Sequence, residues 1–551
     1  MNLYRLYKSE SSIPGTSVVV MALLSGVANA GLLAIINIAI RTTGATELSY
    51  RYFLLFFIAL GIFIAGKKYS LEKCAVISEN IIRGIRVRLA DKIRKSDLAD
   101  LERIGRADIY NRIAQDTETI SQASMIIVNA LQASTMLLFC VLYLATLSKL
   151  AFFLTVASVV VGTVFILRLE ARIIAELRET AKKENVFLGH LQQVIHGFKE
   201  LKLARKKSAD HFQRLATTAL ETEALKIQTR KKFVVVFLFS QTFFYLLLAA
   251  IIFLMPQLDQ IGPQLVVQIT ATILFIVGPI EILVNAIPFY QRANVAVENL
   301  YTLEEKLDQT RQRQPAGEPA SSANGLASFE EIVFDQVSFH YRDTETAAGF
   351  KIGPIDLTIR KGELLFLIGG NGSGKSTLLK LLTGLYYPAG GEIRVDGKPL
   401  TAAATADFRE MFSAIFGDFH LFDRVYGIDA VDTAKVEKLL RLMRLEDKVR
   451  FQDGAFSDIN LSTGQKKRLA MIVSILDDRP ICVFDEWAAD QDPEFRQYFY
   501  ETLLRDFQAQ GKTIIAVSHD DRYFAFADRV LKMDYGRMVP FNDGQVPQCA
   551  S

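Results

Sequence analysis

The chain has 551 residues, half of them hydrophobic, with a mean hydropathy of +0.21, so it is longer than one ordinary domain and too apolar to be soluble throughout. Its 63 basic and 60 acidic residues leave a net charge of only +3, which gives no global pull toward nucleic acid. Four cysteines, Cys74, Cys140, Cys482 and Cys549, lack paired spacing and offer neither a disulfide framework nor a metal cluster.

The first dozen residues mix Lys and Arg with Glu10 and lead into an apolar stretch too long for a signal-peptide core, which reads as a cytoplasmic start followed by a retained membrane helix. Six apolar segments follow, at 18–40, 52–66, 124–147, 151–167, 233–255 and 265–287. Most approach the length of about 20 residues that a bilayer core demands. Between 52 and 97 there is no proline, so one helix of about 45 residues and roughly 65 Å is expected to run well beyond the membrane. The charged stretch 168–232 repeats the pattern, giving two long intracellular hairpins with turns near 96–108 and 192–202. Lys67, Lys68 and the basic residues of 83–95 fall in one hairpin, and Arg205, Lys206, Lys207, Lys226, Arg230, Lys231 and Lys232 in the other. Lys and Arg accumulate on the cytoplasmic side, so both termini are expected inside.

Glu281 lies in the sixth segment with Asn285 four residues on, hence on the same helix face. An ionised acid in the bilayer core costs at least about 2.5 kcal/mol, so the pair is expected to face a cavity or a partner in a cargo path. Asn29, Asn37, Asn129, Gln132 and Gln241 are weaker candidates, for which packing between helices is the ordinary role. The stretch 310–327 is rich in Gln, Pro, Gly, Ser and Ala and reads as a linker. Beyond it, short β-type runs alternate with helical ones, implying an α/β domain. The organisation expected is a membrane domain at 1–309, the linker, and an α/β domain at 328–551.

In that domain Gly369, Gly370, Asn371, Gly372, Ser373, Gly374, Lys375, Ser376 and Thr377 form a glycine-rich loop between an apolar strand and a helix. Such a loop turns backbone N–H groups onto phosphates, while the lysine adds charge and Ser376 a hydroxyl for Mg²⁺. Downstream, the strand 481–484 ends in Asp485, suited to supporting Mg²⁺, and Glu486, suited to orienting or deprotonating an attacking water. The run Leu461, Ser462, Thr463, Gly464, Gln465 precedes that strand, and Ser518 and His519 follow the last one.

With these motifs in this order, the last 220 or so residues resemble the nucleotide-binding domain of ATP-binding-cassette (ABC) transporters. The resemblance implies that 461–465 is the signature LSGGQ with Thr463 for its first glycine. It also implies that Ser462, Gly464 and Gln465 face the ATP held by a second copy, that Asp492 is the D-loop aspartate, that His519 is the switch histidine and that Tyr341 stacks on adenine. Six spans ahead of one such domain resemble the exporter-type half-transporter, which implies a homodimer with two composite ATP sites, a lipid environment and no nucleic acid partner. Two departures stand out. Gly417 occupies the place of the Q-loop glutamine, and Trp487 follows Glu486 where relatives usually have proline. The wording from 485 to 492 resembles the cyclic-peptide and siderophore exporters, the branch of the pyoverdine and syringomycin secretion transporters and of a microcin exporter of enteric bacteria. That branch implies a bacterial inner-membrane exporter of peptide-like cargo. A multidrug or lipid exporter, a siderophore importer on the same scaffold and an ATP-binding sensor are the alternatives.

Overall fold

The computed structural model describes residues 5–7, 10, 15–42, 49–259, 262–311, 329–341, 350–428 and 430–541. All but the first two residues of the expected linker, and Cys549, lie outside them. The chain gathers into two compact units, Met1–Leu89 with Tyr110–Leu303, and Ala90–Ile109 with Glu304–Ser551. The first intracellular turn therefore groups with the α/β domain.

The first unit is helical. Its long helices are α1 (Thr16–Thr42), α2 (Ser49–Arg94), whose last residues enter the second unit, α4 (Thr117–Leu147), α5 (Lys149–His196), α7 (Arg205–Ala249) and α8 (Pro263–Arg311). The 46 residues of α2 match the single long helix that an uninterrupted, proline-free run predicts. Among the described residues four stretches are long and apolar enough to cross a bilayer: Thr16–Ile40, Tyr50–Arg94, Asp108–Leu147 and Pro263–Gln309. Two shorter apolar stretches, Lys149–Gly162 and Gln241–Gln257, occupy the fourth and fifth expected positions. Ser148 breaks the chain between α4 and α5 in an extended conformation, and its hydroxyl accepts from the Ala151 N–H at 3.4 Å to cap α5. Helix α8 runs through Pro279 and Pro288 without a break.

Polar side chains tie these helices together. Asn37 of α1, fully buried, donates to Thr272 Oγ1 of α8 at 2.9 Å, while Gln268 returns a bond to the Asn37 carbonyl at 2.9 Å. Gln132 of α4 bonds Ser25 of α1, and Asn29 lies 2.9 Å from the Met136 sulfur. In lipid such bonds substitute for the hydrophobic drive that helix pairs lack. For Asn29, Asn37 and Gln132 the ordinary packing reading holds.

The turns fall where breaks were expected. Between α2 and α4, α3 (Leu98–Ile104) ends at Gly105, whose φ of 91° suits only the left-handed side of backbone space. Between α5 and α7 lies α6 (Phe198–Leu203), where Phe198 is 59% and Leu203 89% exposed.

The second unit is built on a six-stranded sheet in the order β12 (Arg537–Val539), β11 (Arg529–Asp534), β3, β10, β9 and β6 (Phe412–Ile415), parallel except for the terminal β12. Strands β3 (Leu364–Ile368), β9 (Ile481–Asp485) and β10 (Thr513–Val517) are buried at every residue, as strands covered on both faces must be. Their alternate residues feed two separate cores. Phe366, Phe484 and Ala516 join Trp487, Phe499 and Phe507 on one face. Leu367, Val483 and Val517 join Leu378, Leu382 and Phe408 on the other, beside the antiparallel sheet of β2 (Lys351–Arg360), β1 (Glu331–His340), β4 (Gly390–Val395) and β5 (Lys398–Pro399). Leu98 and Ala99 of α3 pack against this second core, which anchors the turn to the domain. Cys74, Cys140 and Cys482 are buried and free, in keeping with inert packing roles.

Candidate functional site

Register brings the motifs together. In the central sheet Val517 of β10 stands opposite Leu367 of β3 on one side and Asp485 of β9 on the other. The carboxyl ends of three adjacent strands thus deliver the glycine-rich loop, Asp485 with Glu486, and Ser518 with His519 to one edge. Ligands of open α/β sheets bind at such edges.

At the loop, Gly374 takes a φ of 106° to turn the chain into α9 (Lys375–Leu382). That conformation is cheap only for glycine. The Lys375 ammonium, buried, folds back onto the carbonyls of Gly369 (2.9 Å) and Gly370 (3.0 Å). Ser376 Oγ donates to Asp485 Oδ2 at 3.1 Å, and the Gly417 N–H reaches the same oxygen at 3.4 Å. The other oxygen, Asp485 Oδ1, is buried without a partner. Burial pushes the Asp485 carboxyl above its ordinary range, against the opposing pull of Ser376, Gly417 and Lys375. A hydroxyl beside a carboxylate with an open oxygen is a donor set that suits a hard divalent cation. Glu486 Oε1 lies 2.8 Å from His519 Nε2, with both side chains more than 40% exposed and free to reach a ligand.

Tyr341 ends β1 (Glu331–His340), with its hydroxyl 3.0 Å from Thr377 Oγ1 and its ring edge-on to Phe339 and Tyr386. Ser462 caps α10 (Thr463–Asp477), and Gln465 Oε1 accepts from the Ser462 N–H at 3.2 Å to complete a capping box. A Cβ at Gly464 would stand 2.5 Å from the Asp490 carbonyl, so only glycine permits this approach. Asp492 caps the next helix by accepting from the Phe495 N–H at 2.9 Å, and pairs with Arg468. The signature helix and the loop after β9 are therefore locked together within one domain.

Several residues of this lock escape motif reading. The Lys467 ammonium, only 4% exposed, donates to the Glu486 carbonyl at 2.7 Å and pairs with Asp490 at 2.7 Å. Trp487 donates to the Lys467 carbonyl at 2.8 Å and stacks on Phe499 with ring centroids 4.5 Å apart. This accounts for tryptophan after Glu486: the ring fills the first core and fixes the backbone that carries the acid. A second cluster joins α3 to α9. Glu102 accepts from Lys380 Nζ at 2.9 Å and from the Tyr386 hydroxyl at 2.5 Å, and Tyr386 stacks on Phe339 at 4.6 Å. Arg106 and Asp418 approach to 3.9 Å, but both are largely exposed, and such a pair contributes little. Only the basic and aromatic character of Lys380, in the last turn of the loop helix, and Tyr386, just past it, could have flagged the Glu102 cluster.

In the helical unit, Glu281 and Asn285 line one cavity of about 420 Å³ with Gln241, Phe239, Phe243 and Phe244. Both polar residues of α8 thus line the same open space.

The family model described as ABC transporter matches residues 352–489. The ATP-binding protein SyrD of Pseudomonas syringae pv. syringae is 33% identical over 529 residues, which cover 94% of this chain and 92% of SyrD. An ATP-dependent lipid A-core flippase of Cupriavidus metallidurans is 30% identical over 281 residues, 48% of this chain and 45% of the flippase. Among solved structures, a bacterial Atm1-family ABC exporter with ATP bound superposes with a TM-score of 0.75 at 17% identity, covering 96% of this chain and 93% of that one. Helical membrane unit and ATP-binding unit in one chain define an exporter-type half-transporter. The chain belongs to the ABC transporter family, as a multi-pass membrane protein whose ATPase drives export.

Proposed function

We propose that the protein is a homodimeric exporter of the bacterial inner membrane that carries a peptide-like secondary metabolite, a cyclic peptide or a siderophore precursor, by alternating access. The observation that carries this reading is the match to SyrD along nearly the whole chain, membrane helices included. The flippase match, over about half of the chain, supports lipid as the competing cargo. Dimerisation is supported by the second intracellular turn, where Phe198 and Leu203 offer an apolar surface to the ATPase unit of a second copy. Ser462, Gly464 and Gln465 of that copy would then complete each site.

In this reading Ser376 and Asp485, with its open oxygen, would hold Mg²⁺, which would supply charge neutralisation on the phosphates. The glycine-rich loop cradles the phosphates, and Lys375 exchanges the carbonyls of Gly369 and Gly370 for phosphate oxygens. Tyr341 takes the adenine. Glu486 orients and deprotonates the attacking water, and His519, at 2.8 Å, holds its carboxylate in place. Gly417 supplies a backbone N–H where a glutamine side chain is usual, and Glu102 with Lys380 and Tyr386 ties the loop helix to α3 of the first intracellular turn, the route proposed for transmission.

The deciding experiment measures ATP hydrolysis by the protein in lipid, with and without candidate peptides. Glu486→Gln is expected to lower turnover by about 100-fold or more. Hydrolysis that survives this substitution removes Glu486 from its role. Stimulation by lipid A-type lipids and by no peptide would favour the flippase reading.

A further inference from the structure

Glu281 is the one ionisable group among the residues lining the α8 cavity, and among the described residues no ion pair neutralises it. Its walls are mainly apolar, with Phe239, Phe243, Phe244 and Leu247 beside the neutral polar groups of Thr155 and Gln241. An ionised carboxylate in such a place is costly unless it meets a cation or water. Elsewhere in the same unit the amide N–H groups of Asn37 and Gln132 donate to neighbouring helices, whereas Glu281 and Asn285 line open space. The cavity also falls within the ~300–1,000 Å³ typical of small-molecule sites, enough for a few side chains of a larger cargo.

We propose that this cavity selects a cationic amphipathic cargo, holding an ammonium or guanidinium group on Glu281 and an acyl or aromatic group against Phe239, Phe243 and Phe244. Asn285, one helical turn on, accepts a hydrogen bond from the same cationic group or from the cargo backbone. The phenylalanine faces add cation–π attraction, which grows as water is excluded. The inference rests on the peptide-export reading and adds a charge requirement to it.

The test uses the full chain in phosphatidylcholine nanodiscs. Two probes are titrated by fluorescence: an N-acylated hexapeptide bearing two lysines and a neutral dye, and the same peptide with both lysines acetylated. The native protein is expected to bind the lysine peptide about tenfold more tightly, equivalent to about 1.4 kcal/mol. Glu281→Gln is expected to bring the ratio near one, and Glu281→Asp to preserve most of it. A ratio near one in the native protein overturns charge selection while leaving peptide export standing. A ratio that persists in Glu281→Gln moves the selecting charge elsewhere and also overturns the assignment. Binding of neither peptide, together with saturable binding of an acylated glucosamine phosphate lipid, overturns both readings. Should Glu281→Gln fail to fold, the native ratio and the Glu281→Asp variant still decide.

Discussion

The two units use their polar side chains in opposite ways. In the membrane unit Asn37, Gln132 and Gln268 bond to partners in neighbouring helices, while Glu281 and Asn285 line a cavity. In the ATPase unit strand ends aim polar groups at an edge, where Asp485 keeps one buried oxygen unpartnered beside the Ser376 hydroxyl. A polar atom with a partner inside the chain holds structure, and one without a partner marks where a ligand belongs. Replacing an open group should therefore cost function with little stability, and replacing a closed one the reverse.

The largest effect is expected at Asp485. Changing it to Asn should lower turnover by about 100-fold while the melting temperature of the nucleotide-free protein holds or rises, because a buried acid has been neutralised. The pH dependence has a definite sign. The folded carboxyl sits above its unfolded value, so its protonated form favours the fold below the unfolded pKa, and that contribution fades as pH rises through the folded pKa. Mg²⁺ needs the ionised form, so the Mg²⁺-dependent rise in melting temperature with ATP should shrink as pH falls into the acidic range. In Asp485→Asn that share of the pH dependence should vanish. A native protein whose Mg²⁺ stabilisation is flat with pH would count against the open oxygen as a metal ligand.

Lys467 is the closed counterpart. Its buried ammonium serves the Glu486 carbonyl and Asp490, so Lys467→Met should destabilise the domain by about 2–3 kcal/mol, read by denaturant unfolding. ATP affinity per folded molecule should change little. Glu102 tests the boundary of the rule, because its partners are inside the domain while its proposed role is transmission. Glu102→Ala should leave ATP binding intact and cut cargo molecules moved per ATP about three- to tenfold, with Glu102→Gln, which keeps the acceptor for Tyr386, losing less. Equal losses of hydrolysis and transport would reduce Glu102 to a structural contact.

Much of this was legible from residues alone. The glycine-rich loop, Asp485, Glu486 and His519 are recognisable because phosphate chemistry demands those residue types at strand ends, and parallel pairing must bring strand ends together. The long helix over Ser49–Arg94 was legible because nothing in it breaks a helix. What sequence could not supply were contacts set by three-dimensional register. Trp487 looked like an anomaly until its ring was found on Phe499, and Glu102 lies nearly three hundred positions from Lys380 and Tyr386. In the membrane unit, periodicity placed Glu281 and Asn285 on one face, but only packing distinguished that face from the one on which Asn37 is buried.

Asn37 offers the smallest effect and the sharpest contrast. Its amide donates to Thr272 and to the Gln268 carbonyl, and its backbone carbonyl accepts from Gln268, so α1 and α8 are joined by three buried bonds. One of its own atoms, Oδ1, is buried without a partner, which by the rule above would mark a ligand site. Yet the residue is fully buried, between Thr272 and Gln268 of α8, and lines no described cavity. Asn37→Leu removes the orphan oxygen together with the amide's bonds to Thr272 and the Gln268 carbonyl, while the bond from the Gln268 side chain to the Asn37 carbonyl survives. Bonds between membrane helices are worth about 0.6 kcal/mol on average, and the loss should be offset in part by removal of the unsatisfied atom. The expected outcome is a stability change within about 1 kcal/mol and unchanged cargo-stimulated hydrolysis. A loss of stimulation without a loss of stability would make Asn37 part of the cargo path and extend the cavity of Glu281 toward α1.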